Sequence, residues 1–249
     1  MNIVVAMKEI PDIQQIRIRN RKPVTDDVPR TLGNIDKNAL EAAVQIKEKT
    51  DSQVIVVGVG SSEVEDTFKE ALAAGGDEAR LVVWDGELES SQSAQLLAAL
   101  ITKIDSVGLI LFGEGSGDNY SSQVGSRVAQ ILGLPQVGYV NRIEIEGSTA
   151  RVTRSLEDCE QDLEVALPAV IMVSSDINTA RIPSVTQILK AGKKPKEVLA
   201  ANELGVAIPA AQVETISNLA PEMERRQISV KTISDLVKAL ADEGFGGGR

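Results

Sequence analysis

Three short stretches combine glycine with polar donors in a way that could hold a phosphate. The longest is Gly113-Glu114-Gly115-Ser116-Gly117-Asp118, which runs on through Asn119-Tyr120 to Ser121-Ser122-Gln123-Val124-Gly125. The other two are Gly58-Val59-Gly60-Ser61 and Ala6-Met7-Lys8-Glu9. Glycine lets backbone N–H groups approach a phosphate closely. Ser and Gln side chains add donors, and a following helix N-terminus adds partial positive charge. The spacing of the dinucleotide fingerprint is missing after both Gly58 and Gly113, and no Walker A lysine follows either loop. Taken singly, each stretch also reads as an ordinary strand-to-helix turn that needs positive φ angles.

Other residues narrow the chemistry by what they lack. The chain has no histidine, so the commonest general base and metal ligand are absent. Its one cysteine, Cys159, cannot form an internal disulfide, and its acidic neighbours would raise its thiol pKa. These features favour binding or electron carrying over an enzyme, and no catalytic residue is assigned. Asp118 could orient a ribose or a metal, or serve as an N-cap. Glu157, Asp158, Glu160 and Asp162 resemble a metal cluster. No calcium-type glycine turn accompanies them, so a solvated acidic strand end is the simpler reading. Lys190, Lys193, Lys194 and Lys196 form a basic run, read as a solvated helix end or as a docking surface for an acidic partner. The net charge of −10 argues against nucleic acid. The N-terminal run is too short for a signal peptide, and no stretch has the roughly 18 apolar residues of a membrane span. A cytoplasmic protein is expected.

The elements that must position these loops alternate. Residues 3–7, 54–57, 81–84 and 109–112 read as buried strands. Residues 36–48, 62–74, 93–104 and 122–132 read as helices. Asp36 is a candidate N-cap, and Ser62 with Glu65 a capping box. This order with short connections predicts an α/β fold with a mostly parallel sheet, doubly wound, helices on both faces. In such sheets ligands sit beyond the carboxyl ends of the strands. Hydrophobic residues make up 43% and aromatics only 2%, so aliphatic side chains must fill the core. Added strands are expected at 140–146, 150–155 and 163–173, with a hairpin turn at Gly147-Ser148. Leu167-Pro168 then needs an edge, a bulge or a strand start. Residues 196–226 read as an extended arm, 231–240 as a terminal helix and 246–249 as a frayed end. The expected division is a domain of residues 1–195 and an arm of residues 196–249.

Several segments resemble electron-transfer flavoprotein beta subunits. Met1 to Asp12 resembles their opening strand with its "VKxxPD". Leu32-Gly33-Asn34-Ile35-Asp36, leading to Ala39-Leu40-Glu41-Ala42-Ala43, resembles "INPYDxNAxEAA". Arg154 to Asp158 followed by Leu167 to Val170 resembles the family signature, and Ile177 to Ser184 resembles "INxPRxPS". The loop at Gly113 is similar to that of the FixA type, which reads "GDGSSDxYxxQVG". The resemblance implies a three-layer sheet of the adenine nucleotide alpha hydrolase-like type. It implies a heterodimer with an alpha subunit that holds most of a redox-active FAD. It further implies an acyl-CoA-type dehydrogenase as donor, and a quinone- or ferredoxin-linked reductase as acceptor. By position, the nucleotide site is Ala6, Gly33, Asn34, Ile35, Asp36, Val59, and Gly113 to Val124. Its occupant is AMP in most members and a second FAD in electron-bifurcating ones. Glu114 stands where bifurcating members usually carry Arg, which favours AMP. Partner recognition falls at Val173 to Pro195, with Arg181, Val185 and Ile188. Val185 is either an apolar anchor for the partner or a side chain tucked under its own loop. Two other readings remain open: a stand-alone nucleotide-binding protein similar to universal stress proteins, and an interaction module with an empty crevice.

Overall fold

The computed structural model describes residues 1–61, 63–222 and 227–245. Two compact units emerge, one of Met1–Arg17 with Val24–Ile216 and one of Ile18–Pro23 with Ser217–Arg249.

The larger unit begins with β1 (Asn2–Ala6), whose Ile3, Val4 and Val5 are fully buried. A β-branched run buried on both faces suits a central parallel strand. β2 (Glu9–Pro11), β3 (Arg17–Arg19), β4 (Lys22–Val24) and β5 (Arg30–Leu32) are short, and β2 pairs antiparallel with β5. Then α1 (Asn34–Lys47), β6 (Gln53–Gly60), α2 (Val64–Ala74) and β7 (Glu78–Val83) alternate. They are followed by α3 (Ser90–Ile101), β8 (Val107–Gly113) and α4 (Val124–Leu132). β9 (Gln136–Glu146), β10 (Thr149–Ser155), β11 (Glu160–Ala166) and β12 (Ala169–Val173) come next, then α5 (Val185–Ala191) and β13 (Lys196–Ala200).

Among the described residues nine of these strands form one sheet, in the order β11-β10-β9-β12-β8-β1-β6-β7-β13, while β2 pairs with β5 and β3 with β4 apart from it. From β9 to β13 every neighbouring pair is parallel, while β9, β10 and β11 form an antiparallel meander at one edge. Alternation along β1 sorts the core into two layers. Ile3 and Val5 join α1 and α2 on one face, and Val4 and Ala6 join α3 and α4 on the other. After β7 the chain crosses back over β6 and β1 to form β8, so the strand order reverses between β1 and β8. A doubly wound sheet opens its crevice at that reversal.

The local details depart from the sequence reading in five places. Gly58-Val59-Gly60 is not a loop but the end of β6. A Cβ on Gly58 would lie 2.2 Å from Cζ of Phe68, so the glycine makes room for a buried ring. Asp36 is not an N-cap; α1 starts at Asn34 after Gly33, and Asp36 is buried within its first turn. α3 starts at Ser90, three residues early, because Gln92 reaches back to accept the N–H of Glu89 at 3.1 Å. The expected cap Ser62 lies outside the described residues, and α2 has Glu63 at its cap position. The run 163–173 is two strands, since Pro168 cannot donate to a ladder.

A further strand carries no sequence signal of its own. β13, on the sheet's other edge, is mostly exposed and shows no apolar alternation, yet it pairs with β7. The 195/196 division therefore falls just ahead of a strand of the sheet.

In the smaller unit, Asn20 and Arg21 turn the β3–β4 hairpin with φ of 52° and 63°. Two left-handed central residues define the hairpin turn that matches strand twist. Arg21 accepts the N–H of Ala220 at 2.7 Å and returns its Nε–H to the Ala220 carbonyl at 2.9 Å. α6 (Ile233–Asp242) is capped by Thr232, whose hydroxyl accepts the N–H of Asp235 at 3.1 Å. Ile233, Leu236, Val237 and Leu240 make an exposed apolar stripe at helical spacing. Residues 246–249, read as frayed, lie outside the described residues.

Gly58→Ala should destabilise the larger unit by about 1–3 kcal/mol, the usual scale of overpacking. A lowered denaturant midpoint at unchanged slope would verify this; an unchanged midpoint would show that Phe68 moves freely.

Candidate nucleotide site

The site is built around one buried carboxylate. Oδ2 of Asp36 accepts the backbone N–H of Lys8 at 2.7 Å, and the N–H of Gly113 also bonds this side chain. Gly33 donates its N–H to the Lys8 carbonyl at 3.1 Å. Asp36 thereby ties the segment after β1, the end of β8 and the start of α1 together at the strand reversal. The approach is so close that a Cβ on Gly113 would lie 2.7 Å from Oδ1 of Asp36. Burial pushes the Asp36 carboxyl up to about 7, against the pull of the Lys8 and Gly113 amides and the Lys8 charge.

Beyond this knot the Gly113 loop folds back on itself. Glu114 donates its N–H to Val173 at the end of β12, and Tyr120 donates its own to Ser116, both at 2.9 Å. The Tyr120 hydroxyl donates to Oε1 of Glu114 at 2.8 Å, and its ring lies over Gly115. Tyr120 and Ser122 both adopt left-handed conformations, with φ of 44° and 54°. Such angles are costly outside glycine and cluster where a loop shape is needed for function. Lys8 Nζ reaches Asp118 at 2.5 Å. Burial would raise the Asp118 carboxyl, but hydrogen bonds from Lys8 and Ser116 hold it below the usual range. Asp118 is thus a partner of Lys8, not an N-cap.

α4 opens at Val124 with Gln123 at the cap position. The Gln123 side chain is turned to Arg127, whose Nε and Nη2 donate to it at 3.1 and 2.9 Å. No side chain caps the helix, and the N–H groups of Val124, Gly125 and Ser126 have no acceptor within it. A bare helix start beside a polar loop suits an anion.

Ala6 ends β1, buried, and Val59 lies half-buried near the end of β6. Both belong to the α3–α4 face of the core. Ile35 packs its backbone within 3.0 Å of where a Gly113 Cβ would be. Ile35 and Asp36 thus meet Gly113 at one place, and Gly33 stands against Asp36 and the Lys8 carbonyl. Gly125 instead faces Met172 and Phe112 of the core.

Two of the candidate stretches make contacts that sequence spacing does not signal. Glu9 is buried and accepts hydroxyl bonds from Ser61 at 3.2 Å and from Thr67. Ser90 Oγ bonds Ser121 Oγ at 3.0 Å. Neither partner lies near in sequence, so no motif could reveal them.

The recognition residues lie elsewhere. Arg181 holds Glu41 with Nε at 2.6 Å and Nη2 at 3.0 Å, and reaches Glu48 at 2.9 Å. It fastens the segment before α5 to α1. Val185 is 74% exposed and Ile188 is exposed as well, so Val185 is not tucked under its own loop. The basic run divides. Lys194 donates to the carbonyls of Leu72 and Gly76 at 2.8 and 2.6 Å, and Lys196 pairs with Glu65 at 2.6 Å. These two are fasteners, not a free basic surface. Among the described residues no group of carboxylate and thiol side chains is set to hold a metal, and no helix is long and apolar enough to cross a membrane.

Fold and loop together define a doubly wound α/β protein with a glycine-rich loop at its strand reversal. Residues 23–204 match the model of the electron transfer flavoprotein domain. Over 256 aligned positions the chain is 33% identical to the electron transfer flavoprotein subunit beta of Thermoanaerobacterium thermosaccharolyticum, covering 97% of each chain. The chain belongs to the electron transfer flavoprotein family, as a beta subunit.

Asp36 generates a pH prediction. Between about pH 4 and pH 7 the folded chain keeps a proton that the unfolded chain has released. This group's contribution to stability therefore falls as pH rises through that window, by up to about 1.4 kcal/mol per unit. Asp36→Asn loses one acceptor at every pH but removes this slope. Melting temperatures of both chains from pH 4.5 to 8 should converge as pH rises. Parallel curves would refute the assignment.

Proposed function

We propose that this chain is the beta subunit of a two-chain electron carrier, binding AMP in the crevice at Asp36 and the Gly113 loop. The FAD that carries the electrons is held mainly by the alpha subunit. The pair passes electrons from an acyl-CoA-type dehydrogenase to a quinone- or ferredoxin-linked reductase, in the cytoplasm. The observation that carries the reading is the relative's similarity across nearly the whole of both chains. The chain's task is to hold the nucleotide and present surfaces to its partners, without bond-making chemistry of its own.

The crevice supports a single phosphate better than a pyrophosphate. Its near cation, Lys8, is already paired with Asp118, and Arg127 is turned to Gln123. Glu114 adds a carboxylate steadied by Tyr120. Backbone N–H groups at the start of α4 would hold the phosphate, and Ser122 and Gln123 flank them. Ala6, Val59 and the Gly33–Asp36 turn would line the nucleoside end. FAD in place of AMP, as in an electron-bifurcating carrier, is the alternative.

Two surfaces suit the partners. Val185, Ile188 and Leu189 are exposed on α5, which Arg181 and its two glutamates brace from behind. This suits an anchor for the dehydrogenase. The exposed apolar stripe of α6 suits the alpha subunit.

Denaturing the purified heterodimer should release AMP in proportion to this subunit and FAD in proportion to alpha alone. Two FAD per heterodimer and no AMP would overturn the assignment. Val185→Ala should slow electron transfer from the reduced dehydrogenase roughly fivefold or more, the scale of an anchor residue. Melting temperature and flavin content should stay unchanged, because the side chain is exposed. Normal transfer rates would remove Val185 from the docking surface.

A further inference from the structure

The first turn of α3 makes contacts in two directions. Toward the tail of the larger unit, Oε2 of Glu89 accepts the backbone N–H groups of both Gln212 and Val213, each at 3.0 Å. Gln92, itself buried, donates its side-chain amide to the Pro209 carbonyl at 2.9 Å. Toward the Gly113 loop, Ser90 bonds Ser121 at 3.0 Å. Within the turn, the Ser91 hydroxyl donates to Oε1 of Glu89, and Gln92 accepts the Glu89 N–H. Four consecutive residues thus join the loop to the chain that leads into the smaller unit.

The tail is held unevenly. Leu204 is buried, and Ile208 packs on the α3–α4 face of the core. Residues 205–222 have no regular secondary structure, and Val213 is 76% exposed. The side chains that hold residues 209–213 are Glu89 and Gln92. The two Glu89 bonds are solvent-exposed and the Gln92 bond is part-buried; exposed bonds of this kind open locally without unfolding the sheet. Ile208 is therefore a fixed point, and residues 209–213 can lift from it.

We propose that the first turn of α3 is a latch that couples the Gly113 loop to the root of the C-terminal arm, with Glu89 as its positioning residue. The inference rests on the nucleotide reading of that loop. A nucleotide that orders Ser121 also orders Ser90, and with it the turn that carries Glu89. Residues 209–213 are then held in place on the larger unit. Nucleotide binding and partner binding favour one another through a shared ordering cost.

Two variants of the full chain separate the latch from a simple tether. Glu89→Gln removes the charge that faces the tail. Ser90→Ala removes only the bond to the loop and touches no tail residue. Amide exchange at Gln212 and Val213 is measured in both, with circular dichroism to verify folding. Glu89→Gln should speed exchange at both amides about tenfold, and Ser90→Ala should speed it by several-fold, within the range of site-to-site coupling. Affinity for the alpha subunit is then measured with and without added AMP. The wild-type chain should gain about tenfold from AMP, and each variant less than about twofold. If Ser90→Ala leaves exchange at both amides unchanged, Glu89 is only a tether and the latch is withdrawn. If AMP does not bind the wild-type chain, the nucleotide reading fails, while exchange in Ser90→Ala still decides whether loop and tail are joined.

Discussion

The Asp36 carboxylate is the constraint on which the rest of the crevice depends. It is buried at the one point where the strand order reverses, and two backbone amides from different strand ends converge on it. Burial makes the charged form costly and pushes the group up to about 7, while the backbone N–H groups of Lys8 and Gly113 offset part of that cost. Their need to approach makes glycine obligatory at 113, and the glycine in turn frees the loop that follows. The loop's left-handed residues and its folded-back tyrosine are downstream of that junction.

Around this knot the protein uses charged side chains mainly as fasteners. Arg181 on Glu41 and Glu48, Lys194 on the carbonyls at the end of α2, and Lys196 on Glu65 each join segments far apart in the chain. Glu41 illustrates the logic. Burial alone would raise its carboxyl, yet the hydrogen bonds of Arg181 and Gln45 hold it below the usual range. The result is a rigid base for α5, whose apolar residues then stand free in solvent. A docking surface needs such a base, because a side chain already fixed loses less entropy on binding.

Most of the large apolar groups left exposed gather on α5, on the tail after Pro209 and on α6, although Met1, Ile13, Ile18, Tyr120, Ile131, Tyr139 and Leu156 are exposed earlier in the chain. The exposed apolar groups are therefore densest in the C-terminal third.

The sequence alone determined the layers. Buried β-branched runs such as Ile3-Val4-Val5, alternating with amphipathic stretches, leave few arrangements other than a doubly wound sheet. It also placed the glycine-rich loop after a strand, and the segments that resemble a known family. These signals are local, so they survive in one dimension. What only the tertiary structure decided is pairing at a distance. Asp36 passes for an N-cap until Lys8 and Gly113 are brought to it. Gly58 passes for a loop residue until Phe68 packs against it. Lys194 passes for surface charge until the end of α2 arrives beneath it. β13 passes for part of an arm until β7 offers its edge. Each of these depends on a partner 10 to more than 100 residues away. A side chain's role there is set by which group reaches it first in space, and no periodicity or spacing records that.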